Sequence, residues 1–198
     1  MQSKTGLSLS YGTDGKMSYL KDESGNPIIA TTIDASGNVV QMGSETARNQ
    51  LIKIIDAPET INTGINRNPT SAGSKGGGNQ IWLDPNQINA FISGTFGVDN
   101  TTLGWAMTYL HETYHTIIGG GLKDNNFLFI NHNPLGEVVP QMNIIRAELN
   151  AQGGNYGQRM SYVAYPIYGN TYMPFCQPSL QSVTNGVMPM FFHYFIRF

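Results

Sequence analysis

Short stretches of alternating apolar and polar residues occupy positions 7–42 of the chain. Turn-forming residues separate these stretches at positions 14–15, 24–27 and 36–38, where Asp-Gly and Ser-Gly-Asn sequences stand. Alternation with a period of two is typical of a strand with one buried face, and such turn sequences favour tight hairpins. The pattern therefore predicts a small antiparallel β-meander over positions 7–42.

Positions 44–56 fit either a short capped helix or a helix followed by a strand, because their apolar residues satisfy both periods. Asn, Thr, Gly and Ser dominate positions 57–80, and this composition predicts a flexible loop. A phosphate-binding loop is the less favoured alternative, since the Gly-Lys-Ser/Thr ending that it requires is missing. A short strand is expected at 81–83, before a turn at 84–86.

Two helices are predicted in the second half of the chain. The first opens after the candidate capping residues 99–102 and closes at three glycines, 119–121, with apolar residues at steps of three and four between them. The second spans 140–150, because Pro140 suits a first turn and the apolar positions after it share a face. We expect irregular structure with one or two strands after Tyr162. Together these elements predict an α+β fold.

Composition narrows the range of functions. A length of 198 residues with 40% hydrophobic content predicts a single domain spanning 1–198, with positions 1–70 forming part of it or a β-rich N-terminal extension. The net charge of -2 and the lack of a basic run argue against nucleic acid as a partner. Cys176 is the only cysteine, so the chain has no internal disulfide and no cysteine-rich metal site. No apolar stretch is long enough to cross a bilayer, so membrane insertion is not expected.

The first predicted helix contains the sequence His-Glu-x-x-His at positions 111–115. Four residues turn a helix by roughly 400°, so the imidazoles of His111 and His115 lie about 40° apart and one turn displaced, where both can reach one ion. Glu112 is adjacent but rotated away from the pair, so its carboxylate can take a proton from a water that the metal activates. Zinc lowers the pKa of such a water to roughly 7. The motif therefore predicts a zinc-dependent hydrolase with Glu112 as the general base.

The identity of the third metal ligand is left open by the spacing of the remaining candidates. A catalytic zinc needs a third protein ligand and one position for water. The downstream carboxylates are Glu137 and Glu148, while Asp124 is nearer but lies in a predicted loop, and His132 is a further alternative. Glu137 and Glu148 are about three helical turns apart, so both would project from the same face if the helix began at Glu137. One could then bind the metal while the other orients a histidine. We favour Glu137, and we expect His193 to be a packing residue near the end of the chain.

The region 111–162 resembles the zincin metallopeptidase domains at the C-terminal ends of Rhs/YD-repeat polymorphic toxins. The segments that carry the resemblance are the histidine motif, Gly-Glu-Val-Val at 136–139, Asn-Ile-Ile-Arg-Ala-Glu-Leu at 143–149 and Gln-Arg-Met-Ser-Tyr at 158–162, and the predicted strand within 79–85 also fits. These domains are similar to effector metallopeptidases that bacteria inject into host cells. The resemblance implies a zincin-like α+β fold, with a small antiparallel sheet, an active-site helix and a second helix. Met142 departs from the family, some members of which have Glu there.

The resemblance also implies roles for individual residues. Glu137 is the acidic residue that precedes Asn-x-Ile-Arg, the place of the family's third zinc ligand. Arg159 and Tyr162 have a spacing similar to that of a pair in the clostridial neurotoxin proteases, where the pair stabilises the oxyanion of the tetrahedral intermediate. The alternative is that Arg159 makes a surface ion pair and Tyr162 packs in the core. Arg146 is expected to be structural, in a pair with Glu148 or Glu137.

The expected function is that of a zinc endopeptidase, a bacterial toxin or effector that cleaves a protein in a target cell. Its partners would be a protein or peptide substrate and a cognate immunity protein. Residues 1–5 lack the basic and apolar regions of a signal peptide, so secretion or delivery would depend on a partner or on a larger protein that carries this domain. Two alternatives are a self-processing metallopeptidase with the same site, and a non-catalytic binding or adhesion domain of an Rhs-type surface protein.

Overall fold

The computed structural model of the chain describes residues 1–67, 73–125, 135–162, 165–167, 170–176 and 194–197. The helices in these ranges are α1 (Gln2–Thr5), α2 (Glu45–Ile55), α3 (Pro85–Gly94), α4 (Trp105–His115) and α5 (Val138–Ala151), and a 3-10 helix, Asn100–Leu103, precedes α4. The strands are β1 (Leu9–Tyr11), β2 (Met17–Tyr19), β3 (Thr31–Ile33), β4 (Val39–Gln41), β5 (Asn62–Ile65), β6 (Lys75–Gly77), β7 (Gln80–Leu83), β8 (Thr95–Phe96), β9 (Gln158–Arg159), β10 (Tyr165–Ile167), β11 (Asn170–Cys176) and β12 (Tyr194–Arg197). The fold is mixed α+β, with several helices and small sheets.

Two β-hairpins form the N-terminal part of the fold. Strand β1 pairs with β2 and β3 pairs with β4, both in antiparallel fashion. The turn between β3 and β4 is closed by Asp34, whose carboxylate accepts hydrogen bonds from the main-chain N–H groups of Ser36 and Asn38. The predicted antiparallel strands are thus confirmed, but they belong to two separate sheets and not to one continuous meander.

Two larger sheets follow along the chain. In the three-stranded sheet, β7 is central, parallel to β5 and antiparallel to β6. The other sheet has the order β10-β11-β12-β8, with β9 also paired to β11. Strands β5 and β6 lie in the segment 57–80, for which composition predicted a loop. The prediction of a loop was wrong for these two strands. In β6, Lys75-Gly76-Gly77 has no apolar residue that would indicate a strand, and main-chain pairing with β7 forms it.

Side-chain caps define two helices before the site. Of the two alternatives for positions 44–56, the structure shows the single helix, α2. The Ser44 hydroxyl caps this helix by accepting a hydrogen bond from the main-chain N–H of Ala47. Helix α3 follows β7 where only a turn was predicted. It is capped by Asp84, which accepts from the main-chain N–H of Asn86.

Helices α4 and α5 pack against each other and against α2 at the centre of the molecule. Their buried apolar residues form one cluster: Ala47, Met107, Leu110, Tyr114, Val138, Met142, Ile145, Leu149 and Tyr156. Full burial of a side chain such as Leu or Ile stabilises the fold by about 1.5–3 kcal/mol relative to exposure. This cluster therefore fixes the two helices that flank the site described below.

The two predicted helices are both present, with shifted ends. Helix α4 ends at His115, because Thr116 is extended and the N–H of Ile117 donates to the carbonyl oxygen of Gly78 at 3.0 Å. Helix α5 begins at Val138, which leaves Pro140 in its first turn. Within the described ranges, no helix combines the length and the apolar character needed to cross a membrane.

Candidate metal centre

Helix α4 places the two motif histidines on one face. The ring centroids of His111 and His115 are 5.1 Å apart and their Nε2 atoms are 3.3 Å apart. Leu110 and Tyr114, which flank these positions, face the central cluster and hold the helix in place. The spacing of four residues thus brings two nitrogen donors together, as the sequence predicts.

A glycine turn reverses the chain after α4. A Cβ on Gly119 would lie 1.7 Å from the main-chain oxygen of Thr113, so no larger residue fits there. Gly120 and Gly121 have φ angles of 129° and 62°, which favour glycine. The turn brings Leu122 back alongside the helix, where its N–H donates to the carbonyl oxygen of Tyr114 at 3.0 Å.

Asp124 is the carboxylate that this reversal brings to the histidines. Its Oδ2 atom lies 3.1 Å from Nε2 of His111 and 2.9 Å from Nε2 of His115. Its Oδ1 atom is buried and makes no hydrogen bond within the part of the chain that the structure describes. His111, His115 and Asp124 therefore form a group that can hold a metal ion.

Burial and charge set the protonation of these three side chains. Burial raises the pKa of Asp124, but hydrogen bonds with both imidazoles outweigh burial and hold that pKa well below its usual range. Burial lowers the pKa of His115, but the hydrogen bond with Asp124 outweighs it and raises that pKa to about 9. The pKa of His111 is lowered, mainly by burial. These shifts favour an ionised Asp124, a protonated His115 and a neutral His111.

Glu112 lies against strand β6, at the edge of the three-stranded sheet. The side chain is buried, and burial is the main reason why its pKa rises to about 7. The main-chain N–H of Gly76 donates to the Glu112 carboxylate. A Cβ on Gly76 would lie 2.1 Å from the main-chain oxygen of Glu112, so the strand can approach the helix only because this residue is glycine.

Tyr162 and Arg159 adjoin the cluster on another side. The Tyr162 ring stacks on His111, with ring centroids 6.2 Å apart and an angle of 13° between the planes. Arg159 is buried, and its guanidinium donates to the main-chain oxygens of Ser161 and Tyr162. Instead of a surface ion pair, Arg159 therefore makes contacts that hold the turn on which Tyr162 stands.

The structure does not bring Glu137 to the two histidines. Its side chain is exposed, and its Oε2 atom accepts a hydrogen bond from the main-chain N–H of Lys123 at 2.8 Å. Glu148 also lies elsewhere, because its carboxylate accepts hydrogen bonds from the hydroxyl of Ser44 and from the N–H and hydroxyl of Thr46. Glu148 thus anchors the start of helix α2.

The remaining candidates of the sequence analysis have other positions. Arg146 is buried and donates to the side chain of Asn143 and to the main-chain oxygen of Thr102, so the expected pair with Glu148 or Glu137 is wrong. His132 and His193 lie outside the described residues. From the sequence, Asp124 is a weaker candidate than Glu137 because it lies in a predicted loop, and the signal in its favour is the run of three glycines just before it, which permits a reversal.

Comparison with protein-family models, with curated proteins and with solved structures finds no match for this chain. The inference of function therefore depends on the chemistry of the site.

Proposed function

We propose that this chain is a zinc-dependent endopeptidase in which His111, His115 and Asp124 hold the metal and Glu112 is the general base. The observation that carries the proposal is the convergence of two imidazole nitrogens and one carboxylate oxygen beside a buried glutamate. Two histidines and a carboxylate, with one position left for water, are a ligand set typical of catalytic zinc. The zincin-like character of the fold is part of this proposal.

The distances between the donor atoms support the fit. Ligand atoms at roughly 2.0–2.1 Å from a tetrahedral zinc lie about 3.3 Å from one another. The two Nε2 atoms are 3.3 Å apart, and Asp124 Oδ2 lies 3.1 and 2.9 Å from them. The buried Oδ1 atom of Asp124, which makes no hydrogen bond to any described residue, is a further sign that this carboxylate has a partner to bind.

Different residues of the site have different roles in the proposed amide hydrolysis. A zinc ion in this site supplies positive charge that acidifies water and polarises the scissile carbonyl. The Glu112 carboxylate takes the proton of the attacking water and passes it to the leaving amine. The hydrogen bond from Gly76 holds this carboxylate in place. The Tyr162 hydroxyl donates to the developing oxyanion, and Arg159 positions Tyr162 through its contacts with the main chain.

The resemblance to Rhs/YD-repeat toxin domains extends the proposal to a biological role. In that role the chain acts as a toxin or effector on a protein of a target cell, is delivered there as part of a larger protein, and is neutralised by an immunity protein. The position of strand β6 is consistent with a peptide as the substrate, because β6 is the edge strand of its sheet and lies against the active-site helix. Part of that edge is already in use, because the N–H of Gly76 and the carbonyl of Gly78 bond with α4 and the residue beyond it.

The experiment compares the wild-type chain with Glu112→Gln, Asp124→Asn and the surface control Glu23→Ala, which replaces an exposed glutamate in the turn between β2 and β3. Zinc per chain is measured by mass spectrometry, and turnover by hydrolysis of reduced casein. We expect the wild type, Glu112→Gln and Glu23→Ala to hold about one zinc each, and Asp124→Asn to lose it. Glu112→Gln should slow hydrolysis by at least about 100-fold. A wild-type chain that binds no zinc, or hydrolysis that survives Glu112→Gln, would contradict the proposal and favour a binding domain.

A further inference from the structure

The third donor of the metal centre stands on a segment without regular secondary structure. Asp124 follows the glycine turn by a few residues, and neither a helix nor a strand includes it. Its side chain is held through Oδ2 by the two imidazoles and by a hydrogen bond with the side chain of Tyr162. The position of Asp124 also depends on what fixes the main chain on either side of it.

Leu122 anchors this segment to helix α4. Its N–H donates to the carbonyl oxygen of Tyr114 at 3.0 Å, and its carbonyl oxygen accepts from Nδ1 of His115 at 2.7 Å. These two bonds fix the chain before Asp124, but they leave one residue between the anchor and the ligand. A second anchor lies nearer to Asp124, at the main chain of Lys123.

Lys123 supplies this second anchor through Glu137, at the start of helix α5. The N–H of Lys123 donates to Oε2 of Glu137 at 2.8 Å, and the N–H of Glu137 donates to the carbonyl oxygen of Lys123 at 2.8 Å. Gly136 makes the approach possible, because a Cβ there would lie 2.5 Å from the main-chain nitrogen of Asn125. Both polar groups of the Lys123 main chain are thus bound by one residue.

We propose that Glu137 is a positioning residue for the metal centre, which holds Asp124 in place through the main chain of Lys123. The inference rests on the proposed function, since it needs His111, His115 and Asp124 to bind a metal. It assigns Glu137 a role different from that of a ligand. A ligand gives its oxygen to the metal, whereas a positioning residue gives it to a main-chain N–H.

The two roles make different demands on the side chain at 137. A main-chain N–H needs only an acceptor oxygen, and the carboxamide of glutamine provides one at the same distance from the helix. A glutamate that binds zinc does so through its negatively charged carboxylate, and the neutral carboxamide of glutamine is a far weaker donor to the metal. Glu137→Gln therefore separates the roles, while Glu137→Ala removes the oxygen in either case.

The experiment measures zinc affinity by competition with a chromophoric chelator at pH 7.5, and the absorption spectrum of the Co²⁺-loaded chain. Removing a residue that supports a ligand typically weakens metal binding by about 10- to 100-fold. We expect Glu137→Ala to weaken zinc binding by about tenfold and to alter the Co²⁺ spectrum, and Glu137→Gln to restore both to within about threefold of the wild type. Asp124→Asn, a direct ligand, should lose more than about 100-fold, and the exposed control Glu23→Ala should lose nothing.

The following results would overturn the inference. Equal affinity in Glu137→Ala and the wild type would mean that Lys123 needs no anchor. A loss in Glu137→Gln as large as that in Asp124→Asn would make Glu137 a ligand. No zinc binding by the wild type would remove the proposed function itself, and this result is visible without any variant. If Glu137→Ala is unfolded at the assay temperature, Glu137→Asp decides in its place, because its shorter side chain keeps the charge but retracts the acceptor; weakened binding supports the inference and unchanged binding overturns it.

Discussion

His115 donates a hydrogen bond from Nδ1 to the main-chain oxygen of Leu122 at 2.7 Å. A carbonyl oxygen can only accept, so Nδ1 carries a proton and Nε2 faces Asp124. Such a contact on the far nitrogen is the usual means by which a protein fixes the orientation of a metal-binding imidazole. Because Nδ1 keeps its proton in this contact, a metal that binds His115 must displace the proton on Nε2.

Zinc binding should release about one proton from His115 near pH 7.5. Nε2 lies 2.9 Å from the carboxylate of Asp124, which can only accept, so both nitrogens of His115 carry protons and its pKa is raised to about 9. Because zinc must displace the Nε2 proton, apparent affinity should rise by about tenfold per pH unit up to pH 9 and gain nothing further from this group above it. Calorimetry in buffers of different ionisation enthalpy counts the protons. Affinity that is flat between pH 6.5 and 8.5 would contradict the assignment.

Tyr162→Phe should lower kcat and leave zinc content unchanged. Phenylalanine keeps the ring that stacks on His111 and removes only the hydroxyl. Loss of one donor to the oxyanion typically costs about 100-fold in kcat. Steady-state kinetics with a peptide substrate measure the effect, and Tyr162→Leu, which also removes the ring, shows what the stack contributes. If kcat is the same in wild type and Tyr162→Phe, the hydroxyl has no part in turnover.

Gly76→Ala should destabilise the fold, whereas Gly77→Ala should not. The added Cβ at position 76 would meet the main-chain oxygen of Glu112 at 2.1 Å, but at position 77 it would meet no atom within 4 Å. Overpacking of this kind costs about 1–3 kcal/mol of unfolding free energy. Urea denaturation compares the two variants, which differ only in which side of β6 receives the methyl group. Equal stabilities would show that strand and helix are farther apart than described.

The paired histidines can be predicted from the sequence, because both stand on one helix and their spacing alone decides their geometry. The place of Asp124 cannot be predicted in this way. It depends on a reversal that a close approach to Thr113 permits, and this approach is a tertiary contact. Spacing leaves the third ligand open and the resemblance implies Glu137, and only the structure reveals that the Glu137 carboxylate accepts a hydrogen bond from Lys123. The sequence thus identifies the helix of the site but not its third member.

The same limit applies to the fold. Helix α5 carries a clear stripe of apolar residues and is predicted nearly in full. Strand β6 and helix α3 give weaker signals, since Gly76 and Gly77 have no side chains to alternate and Asp84 suits a turn as well as a helix cap. Such elements form because neighbours supply hydrogen bonds to their main chain. A single sequence does not record those neighbours.

The glycine turn after α4 has a consequence for the order in which the molecule assembles. The turn brings Asp124 back to His111, which is only 13 positions earlier in the chain. An ion bound to both residues would therefore close a short loop at small entropic cost. Tyr162, by contrast, stands beyond α5 and beside the C-terminal sheet. If the proposed function holds, a partly folded chain would bind the ion before Tyr162 reaches the site, and local unfolding of that sheet would lower activity while the ion stays bound.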